Sequence, residues 1–372
     1  MASPLNLTLS APMTDSSSRC TEFSLWHLPQ RGRKQLHFGG GVVLLQHGLL
    51  DSGHTWLLNG REGSLAFVLA DAGYDVWLGN NRGNVYSSAH ERWVPSQEEF
   101  FSWSYDEMAR YDLPAMMAYI RSASGSSKVS IIGHSQGTLQ TFASLSLPRS
   151  MLPPASPPLS EGLGVFIALA PVAFVSNVGS PIIRALAELP SSEVSLIFGS
   201  KSFFPSTETL RTLLPSVCIE TPWVCQSVAC MVSGCERDSP HFNKTRWPVY
   251  AAHYPSGTSV RTMLHWAQSV RGGTFSMYDY GTKQANEEAY GTPKPPPYNL
   301  SSIPKDAHIS LISGSRDILA DPLDVDHLVA ALPKEVLQNS QVIAGYDHAA
   351  FPWGSDGQEL LFPTVLKILK GP

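Results

Sequence analysis

Ser135 stands in Gly133-His134-Ser135-Gln136-Gly137, after Val129-Ser130-Ile131-Ile132 and before Thr138-Leu139-Gln140-Thr141-Phe142-Ala143. A β-prone run, G-x-S-x-G and a helix-forming run predict a serine on a sharp strand-to-helix turn. That turn pushes a nucleophilic hydroxyl out at the end of a strand. Gly133 and Gly137 leave room for strand and helix to approach closely. Gln136 opens the helix, and its backbone N–H is placed to stabilise an oxyanion. A second N–H is expected from Leu49, after the apolar run Val42-Val43-Leu44-Leu45-Gln46 and the turn His47-Gly48. His47 is otherwise expected to brace that loop.

A serine nucleophile needs a base and a carboxylate to orient it. The expected chain order is Ser, then acid, then His. Asp317 follows the strand-like run His308-Ile309-Ser310-Leu311-Ile312-Ser313-Gly314. Asp321 precedes Pro322 and reads as a helix N-cap; Asp324 and Asp326 fall inside that helix. Only His327 and His348 come after Asp317. His327 lies on a helix, whereas His348 follows the strand-like Ser340–Gly345 stretch in a loop. A loop at a strand end can deliver an imidazole to Ser135, so Ser135, Asp317 and His348 are the expected catalytic set.

The elements that must position them alternate. Ser64 to Gly73 reads as a helix with a glycine stop, and Tyr74 to Gly79 as the next strand. This rhythm predicts a mostly parallel central sheet flanked by helices, and the serine turn makes it that of an α/β-hydrolase fold. From about residue 174 to 270 the rhythm breaks, and an inserted cap or lid is expected there. The expected division is 1–173 for the first part of the core, 174–270 for the cap and 271–372 for the second part. Leu196-Ile197-Phe198 and Phe203-Phe204 suit contact with a lipid surface as a group; singly, each is expected to pack the cap interior. Pro293–Pro297 reads as a stiff loop returning to the core.

The motifs are longer than the elbow. Gln46-His47-Gly48-Leu49-Leu50, Ser64 through Asn80, Asn81-Arg82-Gly83-Asn84 and Phe101 through Pro114 belong to the set. So do Gly133 through Thr138, Ala168 through Ala173, Gly257-Thr258-Ser259-Val260, Asp317 through Pro322 and Tyr346-Asp347-His348. From about residue 40 onward the chain resembles the acid lipase family, the gastric and lysosomal lipases with their plant and fungal triacylglycerol lipase and steryl ester hydrolase relatives. The resemblance implies a serine carboxylic ester hydrolase acting on triacylglycerols or sterol esters in lipid catabolism. It implies the triad Ser135, Asp317 and His348, the oxyanion donors Leu49 and Gln136, and no cofactor or metal. The competing reading is a catalytically impaired lipid-binding homologue.

The start departs from the family pattern. Met1 through Thr8 has no basic segment and no continuous apolar one. Either the start is incomplete or alternatively spliced, or the protein stays inside the cell, whereas the family implies a secretory or lysosomal/vacuolar location. Only the Thr21–Pro29 stretch resembles the end of the usual first hairpin. Cys218 and Cys235 align with the first and last of three family cysteines, and the middle one falls between Cys225 and Cys230. A bond from Cys218 to Cys225 or to Cys230 is therefore expected in a secreted chain. Sequons at Asn6, Asn243 and Asn299 point the same way.

With 372 residues, 43% of them hydrophobic and 15% charged, the chain suits one large domain with an insertion. A net charge of -5 excludes the basic excess of a nucleic-acid binder. No apolar run reaches the roughly 18 residues of a membrane span. The expected partners are a lipid ester and, transiently, a lipid surface at the cap.

Overall fold

The computed structural model describes residues 24–28, 40–154, 156–205, 207–235 and 239–371. The expectations about the start of the chain and the Asn6 sequon lie outside these residues.

Seven strands form the main sheet, in the order β1-β3-β2-β4-β5-β8-β9. They are β1 (Ser24–Leu28), β2 (Val42–Gln46), β3 (Asp75–Asn80), β4 (Val129–His134), β5 (Leu163–Leu169), β8 (His308–Gly314) and β9 (Leu337–Ile343). Only β1 runs antiparallel to its neighbour; every other pairing is parallel. The sequence explains this. Val-Val-Leu-Leu-Gln in β2 and Asp-Val-Trp-Leu-Gly-Asn in β3 are buried at every position, so both faces must be covered. Helices Leu65–Asp71, Leu113–Ser124, Gln136–Ser146, Pro322–Ala331 and Phe362–Lys370 do this. β9 alternates half-buried and exposed residues along most of its length, as expected of an edge strand.

Between β5 and β8 the chain leaves the sheet. Helices Pro181–Glu188, Ser191–Phe198, Glu208–Glu220, Pro222–Ser233, Trp247–His253 and Val260–Gly272 follow in turn. Two short strands, β6 (Ser202–Phe203) and β7 (Thr258–Ser259), pair antiparallel across this excursion. Its interior holds Leu186, Val194, Phe203, Val260, Met263 and Leu264, and it closes on Leu50, next to the expected oxyanion donor. The excursion is thus packed against the loop that leaves β2.

Phe203 and Phe204 divide. Phe203 is 2% exposed and fills the interior just described, whereas Phe204 is 43% exposed. Cys218 bonds Cys225, one of the two partners left open by the resemblance, and Cys230 bonds Cys235, a pairing that the spacing did not suggest. The first bond clips Glu208–Glu220 to Pro222–Ser233. The second fastens the end of Pro222–Ser233 to the residues beyond it. Among the described residues no helix is long and apolar enough to cross a membrane.

Candidate active site

The parallel strands all point one way, so the loops after β2, β4, β8 and β9 gather at one edge of the sheet, where open α/β sheets carry their sites. Leu49, Ser135, Asp317 and His348 lie on these four loops.

Ser135 is the single residue between β4 and the helix Gln136–Ser146. Its φ is 54° and its ψ -121°, a conformation that costs a non-glycine residue roughly 1–3 kcal/mol. Its N–H is held by the Leu169 carbonyl at 3.1 Å. The flanking glycines leave no room for a side chain. A Cβ on Gly133 would come within 2.9 Å of the Gly137 carbonyl group, and a Cβ on Gly137 would run into the Gln46 and His47 carbonyls. The crowding at Gly137 thus comes from the end of β2 as well as from β4, which a linear motif does not reveal. A Cβ on Gly48 would lie 3.0 Å from the Ser135 Cβ, so the loop leaving β2 rests directly on the serine.

The loops after β8 and β9 are tied together. The Arg316 N–H donates to the Tyr346 carbonyl at 3.0 Å, the Gly345 N–H to the Ser315 hydroxyl at 2.9 Å, and the Ser315 N–H to the Ile343 carbonyl at 3.1 Å. Gly314 packs so closely on the Tyr346 carbonyl that no larger residue fits. This clamp brings Asp317 to His348. Nδ1 of His348 lies 2.9 and 2.8 Å from the two Asp317 carboxylate oxygens. A carboxylate only accepts, so Nδ1 carries the proton of this bond. Asp317 is itself fixed by the N–H groups of Leu319 and Ala320, both 2.8 Å from Oδ1.

The other candidates are occupied elsewhere. Asp321 accepts the Leu323 N–H at 2.9 Å, as the N-cap reading expects. Asp324 accepts the backbone and side-chain N–H groups of Asn177 at 2.8 and 2.9 Å. Asp326 is exposed, and exposed His327 stacks on Phe174 at 3.8 Å.

His47 braces the Leu49 loop through a defined tautomer. Its Nε2 accepts the Asn81 N–H at 3.1 Å, so Nδ1 carries the proton and donates to the Gly48 carbonyl at 2.8 Å. Burial lowers its pKa to about 4, which keeps the ring neutral. In a trans peptide the N–H points opposite to the C=O. Fixing the Gly48 carbonyl therefore also fixes the Leu49 N–H. The Gln136 N–H is in the first turn of its helix, where backbone donors have no intrahelical partner and the helix dipole favours negative charge. Its side chain accepts the Trp266 indole N–H at 2.8 Å, which pins the helix Val260–Gly272 to the elbow.

Sequence reasoning missed four contributors. The Nε2–H of His134 donates to the His348 carbonyl at 3.0 Å, joining the elbow to the histidine loop. Burial first, and then His348, hold its pKa well below the usual histidine value. Asp51, two residues past Leu49, is buried in the wall of the site, and burial pushes its pKa up to about 7. Tyr254 and Trp353 complete that wall. Only Asp51 left a signal, as a charged side chain inside an otherwise buried loop.

Together these groups enclose a cavity of about 40 Å³, lined by Leu49, Leu50, Ser135, His348, Trp266 and Asp51 among others. Leu50 and Trp266 tie the cavity to the excursion between β5 and β8.

Comparison with known proteins agrees with the fold and the motifs. Residues 41–151 match the family model described as alpha/beta hydrolase fold. The chain is 38% identical to the gastric triacylglycerol lipase of Bos taurus, over 93% of this chain and 84% of that one. It is 37% identical to the lysosomal acid lipase/cholesteryl ester hydrolase of Homo sapiens, over 88% of this chain and 79% of that one. Among solved structures, a putative lipase from Sulfolobus solfataricus superposes with a TM-score of 0.59 at 14% identity, covering 94% of this chain and 93% of that one. A soluble variant of monoglyceride lipase from Saccharomyces cerevisiae gives 0.53 at 14% identity, covering 99% and 97%; at such identities the likeness speaks for the fold alone. With more than a third of its residues shared along most of its length, the chain belongs to the acid lipase family, carboxylic ester hydrolases of the α/β-hydrolase fold.

Proposed function

We propose that this enzyme hydrolyses neutral lipid esters, triacylglycerols or sterol esters, through an acyl-enzyme on Ser135. The observation that carries the reading is the shared cavity. The strained Ser135 faces it together with His348, whose Nδ1 is held by Asp317 at 2.8 Å. In the first half-reaction Ser135 Oγ attacks the ester carbonyl carbon while His348 Nε2 takes the hydroxyl proton. The carbonyl oxygen becomes an oxyanion and receives the N–H groups of Leu49 and Gln136. As the tetrahedral centre collapses, the carbon–oxygen bond to the alcohol breaks, and His348 gives its proton to the departing oxygen. Water then attacks the acyl-enzyme with His348 again as base. The acid leaves, and Ser135 regains its proton. Every step uses groups of this chain and water.

We read the excursion of residues 174–270 as a cap over the site. Ile183 and Trp266 of this excursion line the cavity with Ser135, so a long-chain ester reaches the serine past them and a shift of the cap governs that access. Leu196 and Trp223 are 85% and 67% exposed, with Ile197, Phe204, Leu213 and Ile219 also open to solvent. Such apolar side chains on one excursion suit transient contact with a lipid surface. The test is hydrolysis of emulsified triolein and cholesteryl oleate by the wild type and by Ser135→Ala. The wild type should release oleate and the folded variant should not. Release by both at similar rates would refute the assignment.

A further inference from the structure

The excursion between β5 and β8 also reaches the loop of the catalytic histidine. Its segment around His241 is bonded to the stretch that follows His348. The Ser355 N–H donates to the His241 carbonyl at 2.7 Å, and Phe242 pairs with Gly354 in an antiparallel bridge. These bonds fix where the His241 ring stands. Its Nδ1 lies 2.6 Å from Asp356 Oδ2, and the Tyr346 hydroxyl donates to Asp356 Oδ1 at 2.9 Å. The carboxylate accepts from both, so Nδ1 carries the proton of its bond and the neutral ring suffices. The His241 and Tyr346 rings meet edge to face, with centroids 4.9 Å apart. A Cβ on Gly345 would come within 3.2 Å of His241 Nε2, so the imidazole also rests on the backbone of this loop.

Tyr346 stands two residues before His348. It is fully buried, and its carbonyl takes the Arg316 N–H in the clamp between the two catalytic loops. Beyond it the loop is fixed by other bonds: the Ala350 N–H donates to Asp347 Oδ1 at 3.0 Å, and His134 holds the His348 carbonyl. Ahead of it Gly345, at φ 82°, has no side chain that could hold the loop. The Tyr346 side chain is therefore the anchor on that side, and its hydroxyl ends on Asp356. Asp356 is itself half-buried. Without the imidazole it is free to turn to water and leave the tyrosine hydroxyl behind. A catalytic group displaced by about 1 Å can lose about 10²-fold in rate. We propose that His241 is a positioning residue of the catalytic site: through Asp356 and Tyr346 it holds the loop that presents His348 to Ser135. The excursion thus supports the catalytic base as well as covering the cavity.

This role rests on the hydrolase reading above, and the test keeps the two apart. Turnover of soluble p-nitrophenyl butyrate gives kcat and KM. The rate of Ser135 labelling by a fluorophosphonate and thermal unfolding are measured on the same samples. His241→Ala should lower kcat about tenfold, leave KM unchanged and slow the labelling by a similar factor. A side chain that only packs would change the unfolding temperature and leave kcat alone. His241→Asn puts an amide N–H where Nδ1 stands and should recover most of the loss. Tyr346→Phe removes only the hydroxyl and should cost about as much as His241→Ala, and the double variant no more than either alone, since both act through one network. A folded His241→Ala enzyme with wild-type kcat would overturn the proposal, as would a His241→Asn enzyme no better than His241→Ala. Should His241→Ala not fold, Tyr346→Phe decides, and wild-type kcat in that variant overturns the proposal too. A wild type that neither labels nor hydrolyses the ester would instead overturn the hydrolase reading, and this proposal with it.

Discussion

Replacing Asp317 by Asn is isosteric, yet it should nearly abolish turnover. The N–H groups of Leu319 and Ala320, both 2.8 Å from Oδ1, fix which end of the new side chain remains an acceptor. The carboxamide oxygen stays there, and its NH₂ takes the Oδ2 position, 2.8 Å from Nδ1 of His348. Two donors then face each other. The ring escapes by moving its proton to Nε2, the atom that must be free to take the Ser135 proton. A tautomer error of this kind costs a serine hydrolase about 10⁴ in kcat, or about 5.5 kcal/mol of transition-state stabilisation. The fold should survive, because both backbone hydrogen bonds to Oδ1 are retained. Asp321→Asn serves as control: Asn caps a helix as well as Asp, so it should change stability by no more than about 1 kcal/mol and kcat very little. The assay is turnover of a soluble short-chain ester with thermal unfolding on the same samples. A folded Asp317→Asn enzyme within tenfold of wild type, or a larger loss for Asp321→Asn, would refute the reasoning.

Other expectations follow from particular contacts. Gly137→Ala should cost about 1–3 kcal/mol, since its Cβ meets the immobile Gln46 and His47 carbonyls; an unchanged denaturation midpoint would contradict the packing at the elbow. Trp223→Ser and Leu196→Ser should lower activity on emulsified long-chain esters far more than on soluble ones, since each apolar side chain buried in lipid contributes roughly 1.5–3 kcal/mol; equal losses would remove the cap from lipid contact. Asp51 keeps its proton to about pH 7 when folded but would lose it near 3.8 when unfolded, so its contribution to stability is complete below pH 3.8 and is lost as the pH rises through 7. Across that window wild-type stability should fall relative to Asp51→Asn by at most about 1.4 kcal/mol per pH unit, measured by denaturant unfolding, and parallel curves would contradict the raised pKa. His47 acts in the opposite sense: its neutral buried ring contributes fully above pH 6.5 and loses that contribution as the pH falls through about 4, so His47→Gln should flatten the acid limb of the same curves.

Much of this arrangement was legible because local chemistry dictates it. The elbow needs glycines at fixed spacing, and β4 and its helix appear where the motif places them. β8 matches its apolar run residue for residue, and Asp321 caps the next helix as Pro322 suggests. Asp317 and His348, chosen by chain order, lie within hydrogen-bond distance of each other, because strand ends deliver loops to one edge. What stayed hidden depends on contacts between distant segments. Gly137 is constrained by the end of β2, some ninety residues earlier in the chain, and the clamp between the Asp317 and His348 loops is made mostly by backbone groups, which carry no sequence signal. His134 looked like the variable position of G-x-S-x-G, yet it bonds the loop of His348. Phe203 and Phe204 are adjacent and identical, but only the direction of each side chain in the β6–β7 pair and the turn beyond it decides which is buried. The Cys218–Cys225 bond spans the turn between two helices, a choice that the resemblance left open, and Cys230–Cys235 closes the end of the second helix.

The central claim is that Ser135 is the nucleophile, activated by His348. The most direct measurement is reaction with a fluorophosphonate ester followed by peptide mass mapping. The account predicts a single covalent adduct on Ser135 in the wild type, none in Ser135→Ala, and adduct formation slowed by orders of magnitude in His348→Ala. An unlabelled wild type, or an adduct on another residue that persists in Ser135→Ala, would contradict it.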